Sequence, residues 1–307
     1  MIYDADAPGR CGIIGNPSDI YGGCVVSCSV PVRARCRLTV PGIGSLPSDR
    51  TLWDAATARF PLDVPCDVEW SSDVPASSGL AGSTALLAAT LACVLAARGS
   101  VPALSSVEDR TAFAELVRDV ERNEAGVVCG YQDAYMAVHG GLQRMDFSGK
   151  HPVEAGPPGS LRSLSASLPF LLVTTGVRRL SGSVHGPMVE RWLAGEASVV
   201  SAMTRLAELG RLGSDALEAG DWAGLAAMMK ENQAISASLG GSGSAIDRLI
   251  LDCEKCGALA AKLAGAGFGG TVIALSLDVA GLEAGLRGLG YEKFLRPSVE
   301  AGLRVRG

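Results

Sequence analysis

The chain has 307 residues, 48% of them hydrophobic and 19% charged, with a mean hydropathy of +0.26; this excludes disorder as the main state and suffices for a large core. Lys and Arg total 27 against 32 Asp and Glu, a net charge of -5, so the basic excess that attracts a phosphate backbone is missing and nucleic acid is not an expected partner. The most apolar run, Leu86 to Ala97, has 12 residues, short of the roughly 20 that a membrane span needs, so it reads as a buried helix and no membrane partner is expected.

At about 150 residues per domain the length predicts two lobes. The first opens on short strand-like runs, Cys11 to Ile14, Cys24 to Pro31 and Ala34 to Val40, punctuated by glycine pairs. Pro41 to Pro65 shows no clear period, and Asp67 to Trp70 alternates as a strand does. A glycine-rich loop from Val74 then feeds an Ala- and Leu-rich helix over Ser83 to Ala97. A second helix covers Val107 to Glu124, where Phe113, Leu116 and Val120 recur at spacings of three and four. Beyond Gly149 a polar segment with His151, Pro157 and Pro158 reads as the hinge, giving domains over 1–160 and 161–307. The second lobe begins with the strand Phe170 to Thr174. Helical patterns follow over Glu196 to Leu209, Ser214 to Leu217 with Asp221 to Lys230, and Ile246 to Lys262. The strand Thr271 to Leu277, a helix over Val279 to Leu289 and a last strand near Ser298 to Val305 complete it. This alternation without a repeat predicts an α+β fold.

The first six residues carry acids where a signal peptide needs a basic region and an apolar run. Nine cysteines, an odd number scattered among small and apolar residues, read as reduced packing residues. Both features predict a cytoplasmic protein. The single C-x-x-C, Cys253 to Cys256, has no second pair, and the chain has only three histidines, so a zinc or redox site is not expected.

Three segments concentrate glycine beside small hydroxyl residues. In Pro75-Ala-Ser-Ser-Gly-Leu-Ala-Gly-Ser-Thr the loop runs straight into a helix, whose first backbone N–H groups lack internal partners. Those donors and the helix dipole suit a phosphate, and Ser83 or Thr84 can offer a hydroxyl to a metal. No Lys follows the glycines, so this is not a Walker A loop. The second segment, Gly265-Ala-Gly-Phe-Gly-Gly, matches G-x-G-x-x-G, yet it follows the expected helix ending near Leu263 and opens a strand, the reverse of a dinucleotide site. Its glycines are expected to lean against a ligand held by the other lobe. The third, Pro8 to Gly23, sets Arg10, Asn16 and Asp19 around a tight turn.

In this order and at these places the three segments resemble the motifs of the GHMP kinases, named for galactokinase, homoserine kinase, mevalonate kinase and phosphomevalonate kinase. The resemblance spans nearly the whole chain. It implies a ribosomal-S5-domain-2-like first lobe, a ferredoxin-like second lobe, and ATP with Mg²⁺ in the cleft between them. It implies a phosphate loop of Pro75, Ser77, Ser78, Gly79, Leu80, Ala81, Gly82, Ser83 and Thr84, closed by the segment Lys262-Leu-Ala-Gly-Ala-Gly-Phe-Gly-Gly with Gly265, Ala266 and Gly267 at the ligand. Glu121 to Asp133 resembles the stretch leading to the family's catalytic aspartate, which makes Asp133 the catalytic candidate, with Arg10 matching the arginine beside it in galactokinases. The metal is expected on Ser83 and Glu121, twelve residues before Asp133, with Glu124 as the neighbouring choice.

In galactokinases the turn resembles G-E-H-x-D-Y-x-G-G, whereas here it is Gly15-Asn-Pro-Ser-Asp-Ile-Tyr-Gly-Gly, similar to the turn of plant glucuronokinases. Gly130 to Asp133 with Gly140 to Phe147, and Ser181-Gly-Ser-Val-His-Gly with Val189 to Gly195, agree with that likeness. A sugar or sugar-acid 1-kinase is therefore implied, acting on a small molecule as a monomer or homodimer. Asn16, Asp19 and Tyr21 are the candidate sugar contacts. Arg179, with Arg178, is either a fork for an acid group or a solvated surface residue. The alternatives are another GHMP kinase, acting on a heptose phosphate, mevalonate or galactose, or a non-catalytic sensor of the same fold.

Overall fold

The computed structural model describes residues 1–154, 156–176, 182–265 and 270–306. Two long antiparallel strands, β1 (Ile2–Ile14) and β2 (Cys24–Thr39), carry the first sheet. The three short runs read from the sequence are pieces of these two strands. Charged residues interrupt the alternation there because they pair within the sheet: Arg33 binds Asp6, and Arg306 reaches the same carboxylate at 3.3 Å.

Helix α1 (Thr51–Arg59) fills the stretch without a clear period. Next come β3 (Asp67–Ser72) on the far half of β2, then α2 (Gly82–Ala97) and α3 (Val107–Asn123), the last opened by a reciprocal cap between Ser106 and Asp109. The run expected to be a buried helix is the buried core of α2. Helix α4 (Gln132–His139) and strands β4 (Leu142–Asp146) and β5 (Ser160–Ser163) complete this half. The segment after Gly149 is not a hinge, because β4 and β5 on either side of it lie in one sheet. It is pinned by Lys150, which donates to Glu115 at 2.8 Å, and by Gly159, whose N–H donates to the Tyr135 hydroxyl at 2.8 Å. The chain crosses to the second sheet between Ser163 and Phe170.

The second half runs β6 (Phe170–Thr174), α5 (Gly182–Leu193), α6 (Ala197–Ala219), α7 (Trp222–Ser238), α8 (Ser244–Lys255), β7 (Ala260–Leu263), β8 (Thr271–Leu275), α9 (Val279–Gly288) and β9 (Phe294–Leu295). Its strands pair antiparallel in the order β7-β8-β6-β9, the split arrangement of a ferredoxin-like unit. Helix α6 is continuous through Gly210, where a Cβ would come within 1.9 Å of the Cys24 carbonyl; glycine there lets α6 lie against β2. The helix expected to reach Lys262 stops at Lys255, and Ala260–Leu263 is a strand. Every residue of that strand is buried, so its apolar run carries no period to tell it from a helix. The last strand is also reassigned: β10 (Arg304–Arg306) pairs with β1 and closes an edge of the first sheet.

Helices α1 to α4 cover one face of the first sheet. Its other face packs on α6 and α7, which in turn cover the second sheet, and α8 and α9 lie on the outer side. One core therefore joins residues of both sheets, among them Ile13, Val26, Leu206, Met229 and Ile273. No helix among the described residues is long and apolar enough to cross a membrane.

Candidate active site

Arg10 lies between two register shifts of β1, at Pro8/Arg10 and Gly12/Ile14. Such bulges bend a strand and re-aim its side chains. The backbone here leaves the sheet pattern to bind both glycine loops: Arg10 N–H donates to the Leu80 carbonyl at 3.0 Å, and Gly12 N–H to the Ala264 carbonyl at 2.8 Å. Three segments far apart in sequence thus meet on the rim of a cavity of about 780 Å³, within the range of small-molecule sites.

One wall is the phosphate loop. Ser77 and Ala81 hold φ of 54° and 60°, unusual for residues with a Cβ, and α2 begins without a side-chain cap. None of the backbone N–H groups from Gly79 to Thr84 finds an acceptor among the described residues. The Ser78 hydroxyl in the same loop is also buried and finds no partner among the described residues. A run of unpaired donors at a helix N-terminus is an anion cradle. All nine expected loop residues line the cavity.

The third glycine loop closes this wall from outside. It connects β7 to β8, strand to strand, and not helix to strand as expected. Gly265 and Gly270 lie against the phosphate loop's own backbone, and Gly265 also lines the cavity. A Cβ on Gly265 would be 2.8 Å from the Gly79 carbonyl, and one on Gly270 would be 2.3 Å from that of Ser78. Ala266 and Gly267 fall outside the described residues, as do Arg178 and Arg179.

The wall that adjoins the loop is charged. Asp133, in the first turn of α4, accepts from Arg10 Nε at 2.7 Å and pairs with its Nη2 at 2.5 Å. Arg10 Nη1 donates to the carbonyls of Gly79 at 2.6 Å and Ala264 at 3.4 Å. One buried guanidinium therefore fixes the carboxylate and both glycine loops together. The Asp133 side chain keeps 30% of its surface open.

Asp19 accepts the N–H groups of Tyr131 and Gln132 at 2.8 and 3.0 Å through Oδ2, and so caps α4 and aims Asp133. Its carboxyl is pushed upward by burial first and by the Asp133 charge, against the capping N–H groups and His185. Asn16 lines the cavity, but its amide serves the scaffold: Nδ2 donates to the Gly265 carbonyl at 3.0 Å, and Oδ1 accepts from Lys262 at 2.8 Å. Tyr21 is not on the cavity wall; its ring packs on Trp192 with centroids 5.5 Å apart, and its hydroxyl is buried without a partner among the described residues.

Glu121 is buried, and the Thr84 hydroxyl contacts its two oxygens at 2.8 and 3.0 Å. Burial first, and the charge of Asp133 second, push its carboxyl up to about 7. Ser83 stands exposed at the start of α2, facing the cavity. Glu124 turns away to Arg59. Of the two neighbouring glutamates, Glu121 lines the cavity and Glu124 does not.

Sequence reasoning missed His185, which lines the charged end with Asp19 and Asp133. Burial holds its imidazole below the usual range, opposed by those two carboxylates. The run from Ser181 to Gly186 carried the signal. It also missed the apolar end of the cavity, made by Leu52, Trp70, Val74, Leu86 and Val128. These come singly from α1, β3, α2 and loops, so no motif marks them.

Two joined lobes, an unpaired amide cradle and an arginine-held aspartate define a protein of the GHMP kinase class. The family model described as GHMP kinases N terminal domain matches residues 50–141, and GHMP kinases C terminal matches 214–287; the chain belongs to this family. Probable glucuronokinase 2 of Arabidopsis thaliana is 31% identical over 208 residues, 65% of this chain and 54% of its own length. A mevalonate kinase of Aeropyrum pernix is 33% identical over 218 residues, 69% of this chain and 61% of its own length. The chain thus spans a little over half the length of these relatives. Among solved structures, Lactococcus lactis galactokinase complexed with galactose superposes with a TM-score of 0.77 at 17% identity, covering 99% of this chain and 95% of that one, a likeness of fold.

Proposed function

We propose that this protein transfers the γ-phosphoryl group of ATP to a hydroxyl of a sugar or sugar acid, the anomeric hydroxyl of glucuronate or a related sugar being the preferred acceptor. The observation that carries the reading is Arg10, whose one guanidinium binds the half-open Asp133 carboxylate and the carbonyl of Gly79 in the amide cradle. Phosphoryl transfer asks mainly for positioning and charge stabilisation. The apolar end beside Trp70 would take the adenine, the cradle the phosphates, and the charged end the acceptor. Asp133 then orients the acceptor hydroxyl and takes its proton as the oxygen bonds to phosphorus; the bond from phosphorus to the β,γ-bridging oxygen breaks and ADP leaves.

The cavity wall fits Mg²⁺. Among the described residues it carries four carboxylates, Asp19, Asp49, Glu121 and Asp133, against one guanidinium, that of Arg10, which is already paired. A triphosphate entering such a wall needs positive charge. Ser83 and Glu121 would hold the ion, and two protein ligands suit a metal that keeps most of its waters. When bound, it supplies neutralisation of the phosphate oxygens. A sugar fits the acceptor end because Asp19, Gln132 and His185 mix acceptors and donors there. The glucuronokinase likeness favours a sugar acid, to which a neutral His185 imidazole can donate through one ring N–H.

The test is ADP release from Mg-ATP with glucuronate, galacturonate, glucose, galactose and mevalonate in turn. Glucuronate is expected to give the highest kcat/KM, with a product whose phosphorus couples to the anomeric proton in the NMR spectrum. ADP formation with mevalonate alone overturns the acceptor class, and none with any acceptor overturns the reading.

A further inference from the structure

Lys262 is the residue of the site region that the reaction above leaves without a task. It sits on β7, 1% exposed. Its ammonium donates to Asn16 Oδ1 at 2.8 Å, to the Leu263 carbonyl at 2.6 Å and, at the limit of a hydrogen bond, to the Gly12 carbonyl at 3.5 Å. No carboxylate pairs with it among the described residues. The groups that face it are Arg10 and Cys11 from β1, a second cation and a thiol pushed up to about 12 by burial. From α7 come only neutral amides, Asn232 holding Gly15 N–H at 2.9 Å and Gln233 holding Leu263 N–H at 3.0 Å. An apolar side chain would fill the space without the cost of a buried, uncompensated charge.

What the charge does can be read from Asn16. An ammonium only donates, so only the oxygen end of that amide can serve as its acceptor. The nitrogen end is thereby turned to the Gly265 carbonyl, 3.0 Å away. Gly265 in turn lies on Gly79, whose carbonyl holds Arg10. We propose that Lys262 is a positioning residue for nucleotide binding: through Asn16 it sets Gly265 against the phosphate loop, and its ammonium form enforces that amide orientation, whereas a neutral amine can pair with either end of the amide.

The inference rests on the reading of the cradle as a nucleotide site. Burial first and Arg10 next pull the Lys262 ammonium down to about 7 from its ordinary 10.5, with Cys11 acting slightly the other way. Above neutrality the lysine therefore loses its proton in the free protein. Binding that the proton favours weakens above that point, by at most about tenfold per pH unit. A triphosphate nearby raises the lysine's proton affinity, so binding takes up a proton.

The test is titration calorimetry with Mg-ADP from pH 6 to 9, in buffers of different ionisation enthalpy, on wild type, Lys262→Met and Asn16→Ala. Wild type is expected to lose affinity above pH 7 and to take up protons on binding. Lys262→Met, with its melting checked, is expected to bind about tenfold more weakly at pH 6.5 and to lose that dependence. Glu121 and His185 remain in it, so what disappears belongs to Lys262. Should Lys262→Met fail to fold, Asn16→Ala, which keeps the lysine, is expected to show the same weakening. A folded Lys262→Met variant with wild-type affinity and pH profile overturns this inference alone, as does wild-type affinity in Asn16→Ala. Wild type that does not bind Mg-ADP overturns it together with the proposed function.

Discussion

The two walls of the cavity are built on opposite principles. The phosphate loop presents groups with nothing to bind: six consecutive N–H groups from Gly79 to Thr84 without acceptors among the described residues, and the orphaned Ser78 hydroxyl. On the adjoining wall the polar atoms are committed: Arg10 to Asp133 and two carbonyls, Asp19 to the start of α4, Asn16 to Gly265 and Lys262. A wall of unsatisfied donors gains when an anion arrives. A satisfied wall holds reacting groups still before the substrate comes, which spares reorganisation during the reaction. The contrast assigns binding to the first and chemistry to the second.

The sharpest way to break that assignment is Asp133→Asn. It removes the proton acceptor of the committed wall and leaves the cradle intact. Turnover should fall about 10²–10⁴-fold, while Mg-ADP affinity in an equilibrium titration stays near wild type. A parallel loss of affinity would mean that the walls do not divide the work.

Gly265→Val tests the other side. The Cβ would meet the Gly79 carbonyl at 2.8 Å, and that carbonyl also holds Arg10. The expected result is nucleotide binding weakened by about tenfold or more, with a stability loss of ~1–3 kcal/mol from the backbone shift. Because the same carbonyl touches both walls, turnover at saturating nucleotide should fall as well, in contrast to a purely binding defect. Stopped-time assays at saturating ATP separate the two.

How much of this the sequence reveals follows the same division. The cradle is legible because glycine, small hydroxyls and a helix start are local features of ten adjacent residues. The cavity's location and the Arg10–Asp133 pair are legible through the ordered motifs, although the two residues are 123 positions apart. The supporting atoms are not. Asn16 looks like a sugar ligand, and nothing in its neighbourhood in sequence shows that a lysine 246 residues later binds its oxygen. Lys262 itself reads as the polar end of a helix, because a short, fully buried strand has no alternation. Tyr21 belongs to the right turn but faces Trp192. Motifs mark what touches ligand; they are silent on what holds the motif, since that depends on contacts between distant segments.

The smallest expected effect lies where the walls meet, at Glu121. Its carboxyl is pushed up to about 7 against an ordinary value near 4.5, so the unfolded chain releases this proton at lower pH than the folded one. Between those values the folded state holds more protons, and each step upward in pH removes stability. The contribution is complete below about 4.5 and lost as pH rises through 7. Glu121→Gln copies the protonated form and keeps an acceptor for Thr84. It should therefore melt higher than wild type at pH 8, by ~1–3 kcal/mol, and show almost no difference at pH 5. Added Mg-ADP should narrow the pH 8 gap, because a cation beside Glu121 favours the carboxylate that only the wild type has. Should the variant be less stable at pH 8, or should Mg-ADP shift both proteins equally, Glu121 would belong to the supporting scaffold alone, and the carboxylate expected to meet the metal would have to be sought elsewhere on the charged wall.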